Sequence, residues 1–350
     1  MKRWIALLLV PLLLSGCRAH SSVGDRVVVT GLGITERDGI VTVSVQAVEA
    51  LRTAGSLSEQ SESATAVYTA RGASVAEALN AFLNEAGRRT YILQNQIIVL
   101  EEATCRTQSL TELLDYFIRT GEGRPTVAVV VCRGDPSALL GITSDSDAIP
   151  AEYVSRLLSE SQRLTRAVQA RLLDVQRASS GMYDAALPLV EVTDGIPRPV
   201  GTLLFRDGVA VGELTDAETT GLLLAAGEGE RCLYTRAGTT FELEDLHHAV
   251  RAERTATGLR FHFALTADSH VTEGKRADAA ALRALEAALA ADMETALART
   301  YTDCDSDPLG LARLTAHMTA ATQTQARSSL KTAAFSVAVT LTHTDNRLLR

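Results

Sequence analysis

The sequence predicts an α/β (α+β) protein of three mixed α–β domains, each built round a β-sheet with flanking helices. Three observations lead there. Short runs rich in Val, Ile and Leu alternate with stretches of helical spacing through the first half. Three helix starts carry a Ser/Thr-x-x-Glu box, at Ser74 with Glu77, Ser109 with Glu112 and Thr215 with Glu218, where each side chain satisfies an orphan backbone amide. Asp207-Gly208 separates two strand-like runs, the strongest short hairpin signal.

The chain opens on Lys2 and Arg3, then an apolar run over residues 4–14 interrupted only by Pro11. That is the pattern of a secretory signal, and the run is shorter than the roughly 20 residues that cross a bilayer. Leu14-Ser15-Gly16-Cys17 closes it and reads as a bacterial lipobox, in which the Cys17 thiol is acylated and becomes the first residue of the mature chain. A plain signal with an incidental cysteine is the competing reading. The small residues and the cysteine fall together where the apolar run stops, which favours acylation. Each buried methylene of an acyl chain is worth about 0.8 kcal/mol, so the expectation is a soluble body tethered to the outer face of a membrane. Residues 18–25 are polar and read as the tether.

Residues 26–30 and 40–45 read as strands joined through Asp38-Gly39, and residues 49–65 as a surface loop. From Ser74 a helix places Val75, Ala78, Leu79, Phe82, Leu83 and Ala86 on one face and stops at Gly87. A strand follows over 91–100. A helix from Ser109 has Leu110, Leu113, Leu114, Phe117 and Ile118 as its stripe, and residues 127–132 form a wholly apolar strand. Asp135-Pro136 caps a short helix. Residues 150–177 carry a helical pattern broken near Ser159 or Ser161, and 187–192 return as a strand. Gly195-Ile196-Pro197-Arg198-Pro199 reads as a linker, because neighbouring prolines disfavour helix and central strand.

Residues 201–206 and 209–214 form the hairpin about Asp207-Gly208, followed by a helix over 217–225. Residues 259–267 alternate Phe261, Phe263 and Leu265 with polar positions. An Ala-rich helix spans 277–301, another follows Asp307-Pro308, and 335–341 is a last strand. The expected division is therefore a signal peptide at 1–17, an N-terminal α/β domain at 18–194, a small β-rich middle domain at 195–256, and an α+β domain at 257–350.

Aromatic residues are only 4% of 350, so cores must be built from Leu, Val, Ile and Ala. The net charge of −8 makes a poor nucleic-acid binder and a body weakly repelled by anionic lipid, which leaves anchoring to the lipid. Besides Cys17 there are Cys105, Cys132, Cys232 and Cys304, without a C-x-x-C or zinc spacing. Spacing chooses no disulfide among them, and buried free thiols are the simpler reading.

No catalytic set emerges, and no metal or cofactor is expected. His247, His248, His262 and His270 are close in sequence without converging. Asp303, Asp305 and Asp307 start like a calcium loop but lack its glycine and its final glutamate, so Asp307 before Pro308 reads as an N-cap. Gly31 and Gly33 lack the rest of a dinucleotide loop, and Ser179-Ser180-Gly181 lacks a hydrolase elbow.

Several segments together resemble a known family. They are the lipobox with Cys17, Ser74-Val75-Ala76-Glu77-Ala78 through Gly87-Arg88-Arg89-Thr90-Tyr91, and Leu113-Leu114-Asp115-Tyr116-Phe117-Ile118-Arg119. Gly201-Thr202-Leu203-Leu204-Phe205, Val211-Gly212-Glu213-Leu214-Thr215 and Glu218-Thr219-Thr220-Gly221 form the most distinctive block, and Asp307-Pro308-Leu309-Gly310-Leu311 resembles a family Asp-Pro-Phe-Gly-Leu. In order and spacing they resemble the Ger(x)C family, the C-subunit lipoproteins of spore germinant receptors. The resemblance implies a non-catalytic subunit of three α/β-type domains at the outer face of the inner spore membrane, beside two integral-membrane subunits, in a receptor that answers small nutrients. The candidate partner-docking residues are Glu213, Thr215, Glu218 and Thr219, with a helix cap as the competing role for Thr215 and Glu218. The competing class is a lipid-anchored extracytoplasmic solute-binding protein or envelope enzyme.

Overall fold

The computed structural model describes residues 26–48, 65–87, 89–143, 149–256 and 258–344. The lipobox with Cys17, the polar tether and most of the loop expected at 49–65 lie outside the described residues.

The first nine strands make one sheet. β1 (Arg26–Arg37) and β2 (Ile40–Val48) are an antiparallel hairpin, and β3 (Thr65–Gly72) pairs with β2. The hairpin turns through Asp38 and Gly39 at φ 54° and 77°, the left-handed pair that fits strand twist. Next come α1 (Val75–Ala86), β4 (Arg89–Tyr91), β5 (Ile97–Glu101), α2 (Leu110–Thr120), β6 (Ala128–Arg133), α3 (Pro136–Leu140), α4 (Pro150–Arg163) and α5 (Leu172–Ser179). Then β7 (Ala186–Thr193), β8 (Ile196–Arg206) and β9 (Val209–Thr215) complete the order β3-β2-β1-β5-β6-β7-β8-β9, with β4 beside β1. The centre, β1-β5-β6-β7, is parallel, and antiparallel strands flank it.

Parallel strands need helical crossovers and so are covered on both faces. Leu79 and Phe82 of α1, Leu114 and Phe117 of α2 and Val175 of α5 fill one side. Leu139 and Leu140 of α3 with Val154 and Leu158 of α4 fill the other. Ile97, Ile98, Val99 and Leu100 are accordingly fully buried. At α1 half of the expected box forms: the Glu77 amide donates to Ser74 Oγ at 3.2 Å, while Glu77 Oε2 accepts from the Ala73 amide at 2.9 Å, and Gly87 ends the helix at φ 62°. At α2, Ser109 Oγ accepts from the amide of Thr111 and not from that of Glu112. The helical pattern after Pro150 breaks at Leu164 and Thr165, later than expected, with Thr165 at φ 58°.

The second sheet follows α6 (Asp216–Ala226). β10 (Arg231–Arg236), β11 (Thr239–Thr255), β12 (Gly258–Glu273) and β13 (Ala334–His343) pair in that order, β13 parallel to β12. α7 (Ala279–Ala298), α8 (Leu311–Thr319) and α9 (Gln323–Leu330) lie between β12 and β13 in sequence. Phe261, Phe263 and Leu265 meet Leu285, Leu289 and Met293 of α7 in its core, while Arg260, Ala264 and Thr266 face outward. On the free edge of β13 the amides of Val337 and Leu341 donate to Glu294 and Glu286 of α7, each at 2.9 Å.

The expected linker at 195–199 is instead a hairpin turn and the start of β8. Asp194 and Gly195 turn at φ 54° and 75°, and Pro197 and Pro199 sit opposite Val192 and Val190. β9 joins β8 only from Gly201 onward, so both prolines lie where β8 has a single neighbour and their missing N–H costs no ladder bond. The unit expected at 195–256 is therefore divided: β8 and β9 finish the first sheet, and β10 and β11 open the second.

Two glycines let the sheets approach. A Cβ on Gly212 would lie 2.2 Å from Cys304 Sγ, and one on Gly221 of α6 would lie 2.8 Å from the Asp292 carbonyl and 2.9 Å from Ala296 Cβ on α7. Leu204, Leu214 and Leu222 share the small core there with Ala296 and Cys304.

Two outcomes follow. A fragment of residues 200–350 parts β8 from β7 and exposes Leu203, Leu204 and Phe205, all 0% exposed in the whole chain; it should unfold in urea without the cooperative transition of the full body. Gly221→Val should lower the urea midpoint by the equivalent of about 1–3 kcal/mol, the usual cost of overpacking, and an unchanged midpoint would refute the close approach.

Candidate functional site

The four residues expected to dock a partner separate into three environments. Glu213 faces solvent on β9, where its Oε1 accepts from Arg133 Nη2 at 2.6 Å. Arg133, at the end of β6, also reaches Glu102 at 3.2 Å and Glu191 at 3.5 Å, so three strands and the turn after β5 share one cation. The bond to Glu213 leads in raising the Arg133 pKa. Burial pushes the Glu102 carboxyl up, but bonds from Arg106 and Arg133 hold it below the usual range.

Thr215 and Glu218 form the reciprocal cap of α6: the Glu218 amide donates to Thr215 Oγ1 at 3.3 Å and the Thr215 amide to Glu218 Oε2 at 2.8 Å. Thr219 is 0% exposed, and its hydroxyl lies 2.9 Å from that of Thr202 inside the fold. Thr219 thus corrects the expectation, since a buried hydroxyl presents nothing to a partner. Leu214, Thr219 and Gly221 of this block lie in the joint between the sheets, while Val211, Thr215, Asp216 and Ala217 are exposed and Glu213 and Glu218 half-buried.

A second polar cluster lies across the same joint, and nothing in the sequence pattern marked it. Asp184, just before β7, is 5% exposed. Its Oδ2 accepts from the Asp307 amide at 2.8 Å and its Oδ1 from the Asp207 amide at 3.3 Å, while Arg327 of α9 donates to Oδ2. Asp307, expected as an N-cap, stands one turn ahead of α8 and accepts from the amides of Leu311 at 2.7 Å and Ala312 at 2.9 Å. Tyr301 also donates to it at 3.1 Å. Burial raises the Asp307 carboxyl above its ordinary range, although these three donors pull the other way.

Beside this cluster a cleft of about 320 Å³ opens between the sheets, walled by Val175, Leu187, Leu222 and Leu309 and edged by Asp174 and Glu228.

The histidines stay dispersed. His262 stands on the open face of the second sheet, with Nδ1 2.7 Å from Ser336 Oγ and Nε2 3.1 Å from Glu253 Oε2. That connectivity matches a nucleophile, base and carboxylate, but Glu253 is 61% exposed and the neighbouring Val337 amide is occupied by Glu294. His270 is buried against Glu242 at 3.1 Å, and His247 and His248 are exposed. Asp303 pairs with Arg299 and Asp305 with Lys331, away from any shared centre. Among the described residues no group of three or more His, Cys, Asp or Glu is placed to hold a metal ion, and no helix is long and apolar enough to cross a membrane. Cys105, Cys132, Cys232 and Cys304 are free and buried, and burial pushes the Cys232 thiol up to about 11.

Similarity to known proteins points to a class, the spore germination proteins. Residues 20–192 match the model of the spore germination protein N-terminal domain. Over 177 residues the chain is 24% identical to spore germination protein KC of Bacillus subtilis (strain 168), covering 49% of this chain and 44% of that protein, so the match spans less than half of the relative. The crystal structure of the GerBC protein superposes with a TM-score of 0.59 at 16% identity, covering 90% of this chain and 97% of that one, which shows a shared fold. The chain belongs to the Ger(x)C family, and a role in spore germination goes with that membership.

Removing the Asp184 carboxylate leaves Arg327 and two amides without their acceptor. Asp184→Ala should cost about 3–5 kcal/mol by urea unfolding, against about 1 kcal/mol for the cap variant Thr215→Ala. Equal, small losses in both would refute the central place of Asp184.

Proposed function

We propose that the chain is the lipid-anchored C-subunit of a spore nutrient-germinant receptor. In this reading it is held through Cys17 on the outer face of the inner spore membrane, and it acts without catalysis by docking to two integral-membrane subunits. The observation that carries it is the family match over residues 20–192, supported by a likeness to GerBC over 90% of the chain. The lipobox supports the anchor. For docking, Glu213 of the expected block can be reached by a partner without disturbing the helix cap, and Arg133 and Glu191 stand beside it. Exposed ion pairs of this kind contribute about 0–1 kcal/mol to stability, which leaves them free to exchange partners.

Cys17→Ala should yield a chain without an acyl mass in the soluble fraction. A membrane-bound Cys17→Ala chain, with no acyl group on the wild type by mass spectrometry, would refute the anchor. Glu213→Arg should reduce germination of spores while receptor abundance and melting stay near wild type. Normal germination in that variant would remove this rim as the docking surface. Glu218→Ala serves as the comparison, because any loss there should follow its loss of stability.

A further inference from the structure

We propose that a second cleft, enclosed by α8, α9 and the tip of the β11–β12 hairpin, binds a small carboxylate, one of whose oxygens accepts from the buried hydroxyl of Thr315. The inference goes beyond the receptor-subunit reading and does not depend on it.

The cleft measures about 550 Å³, within the roughly 300–1,000 Å³ of small-molecule pockets. Leu259 at the start of β12 and Ala326 of α9, 7% and 1% exposed, give it apolar walls. Thr315 of α8 also lines it and is 2% exposed, so bulk water does not answer its hydroxyl. Its Oγ1 has no hydrogen-bond partner among the described residues. That departs from the habit of the chain. Thr120, Thr295, Thr300 and Thr319 each donate to the carbonyl four residues back, at 2.7–2.8 Å, the usual local bond of a helical hydroxyl. Thr315 has the same option in the Leu311 carbonyl and does not take it. A buried donor without an acceptor is costly, and its place in a cleft wall points to a molecule that completes it.

The other lining groups select the chemical class. Thr255, Thr319 and Ser329 already spend their hydroxyl hydrogens on the carbonyls of Gly258, Thr315 and Ala326. The Gln325 side-chain oxygen is taken by the Thr322 amide, which leaves its NH₂ group as a donor. No Asp or Glu is among the described lining residues, and Arg254 adds a positive charge at the exposed rim. An acceptor-rich anion therefore fits, whereas an ammonium group would find no counter-charge. The buried Thr315 bond fixes the position, and Arg254, being exposed, only biases the cleft toward negative charge. A short hydrocarbon body would displace water from Leu259 and Ala326. Because two helices and a hairpin meet there, an occupant ties them together and should raise the stability of the chain.

The test titrates the purified full-length chain with butyrate, with n-butylamine and n-butanol as cationic and neutral controls, by calorimetry and thermal unfolding. Saturable butyrate binding with a rise in Tm is expected, with none for butylamine and weaker binding of butanol. Thr315→Val keeps the shape of the side chain and removes the hydroxyl. It should weaken butyrate binding roughly tenfold or more, as for a lost hydrogen bond to a charged group, while the unliganded Tm holds or rises because an unmet donor has gone. A merely structural hydroxyl would instead lower that Tm. Ala321→Trp, in the turn between α8 and α9, should block the cleft without touching Thr315, and circular dichroism establishes that each variant is folded. No saturable butyrate binding by the wild type, equal binding of butylamine or butanol, or unchanged affinity in folded Thr315→Val or Ala321→Trp chains would each overturn the inference; the first would leave the hydroxyl to a bound water.

Discussion

The carboxylate of Asp184 is where the two sheets become one molecule. It is buried, so its charge must be answered on all sides. The answers come from the β8–β9 turn through Asp207, from the turn before α8 through Asp307, and from α9 through Arg327. Those donors belong to segments 23 to 143 residues away along the chain. A bond set of this kind is satisfied only when both sheets are already folded and docked, so it selects one relative placement. Asp307 extends the same logic, since one side chain both organises the start of α8 and accepts from Tyr301. The apolar part of the joint, from Leu204 to Cys304, supplies attraction without direction.

Close approach completes the fit. Gly212 against Cys304 and Gly221 against α7 place backbone where any side chain would hold the sheets apart. The buried pair of Thr202 and Thr219 hydroxyls lies between them. The block that reads from sequence as a surface is therefore partly interior, and Gly212, Gly221 and Thr219 are explained by packing. Glu213 stands half-exposed within the charges that surround Arg133, while Thr215 and Glu218 reach the surface as the cap of α6.

What the sequence disclosed was local. Ser74, Thr215, Gly87 and the two Asp-Gly turns act on backbone groups a few residues away, and all of them are found as read. Strands buried on both faces, such as Ile97–Glu101, announce themselves by composition. The ribbon of β10 and β11 gave no such notice: beyond Leu243 it alternates half-buried positions with His247, Arg251 and Glu253, and its length is set by pairing with β12. Pro197 and Pro199 misled because the rule against prolines in strands holds for strands paired on both sides. Asp184 lies outside any helix or strand, so no periodicity could single it out, and the cleft beside it exists only once three distant segments meet.

The edge of β13 has a further consequence. An outer strand ten residues long exposes a row of amides onto which a strand from a second molecule could zip. Glu294 and Glu286, two turns apart on α7, occupy two of those amides and set negative charge along the margin. An incoming strand would have to displace both carboxylates and leave them crowded against its own carbonyls. Growth of the sheet past β13 is thus opposed by a helix that also fills its core.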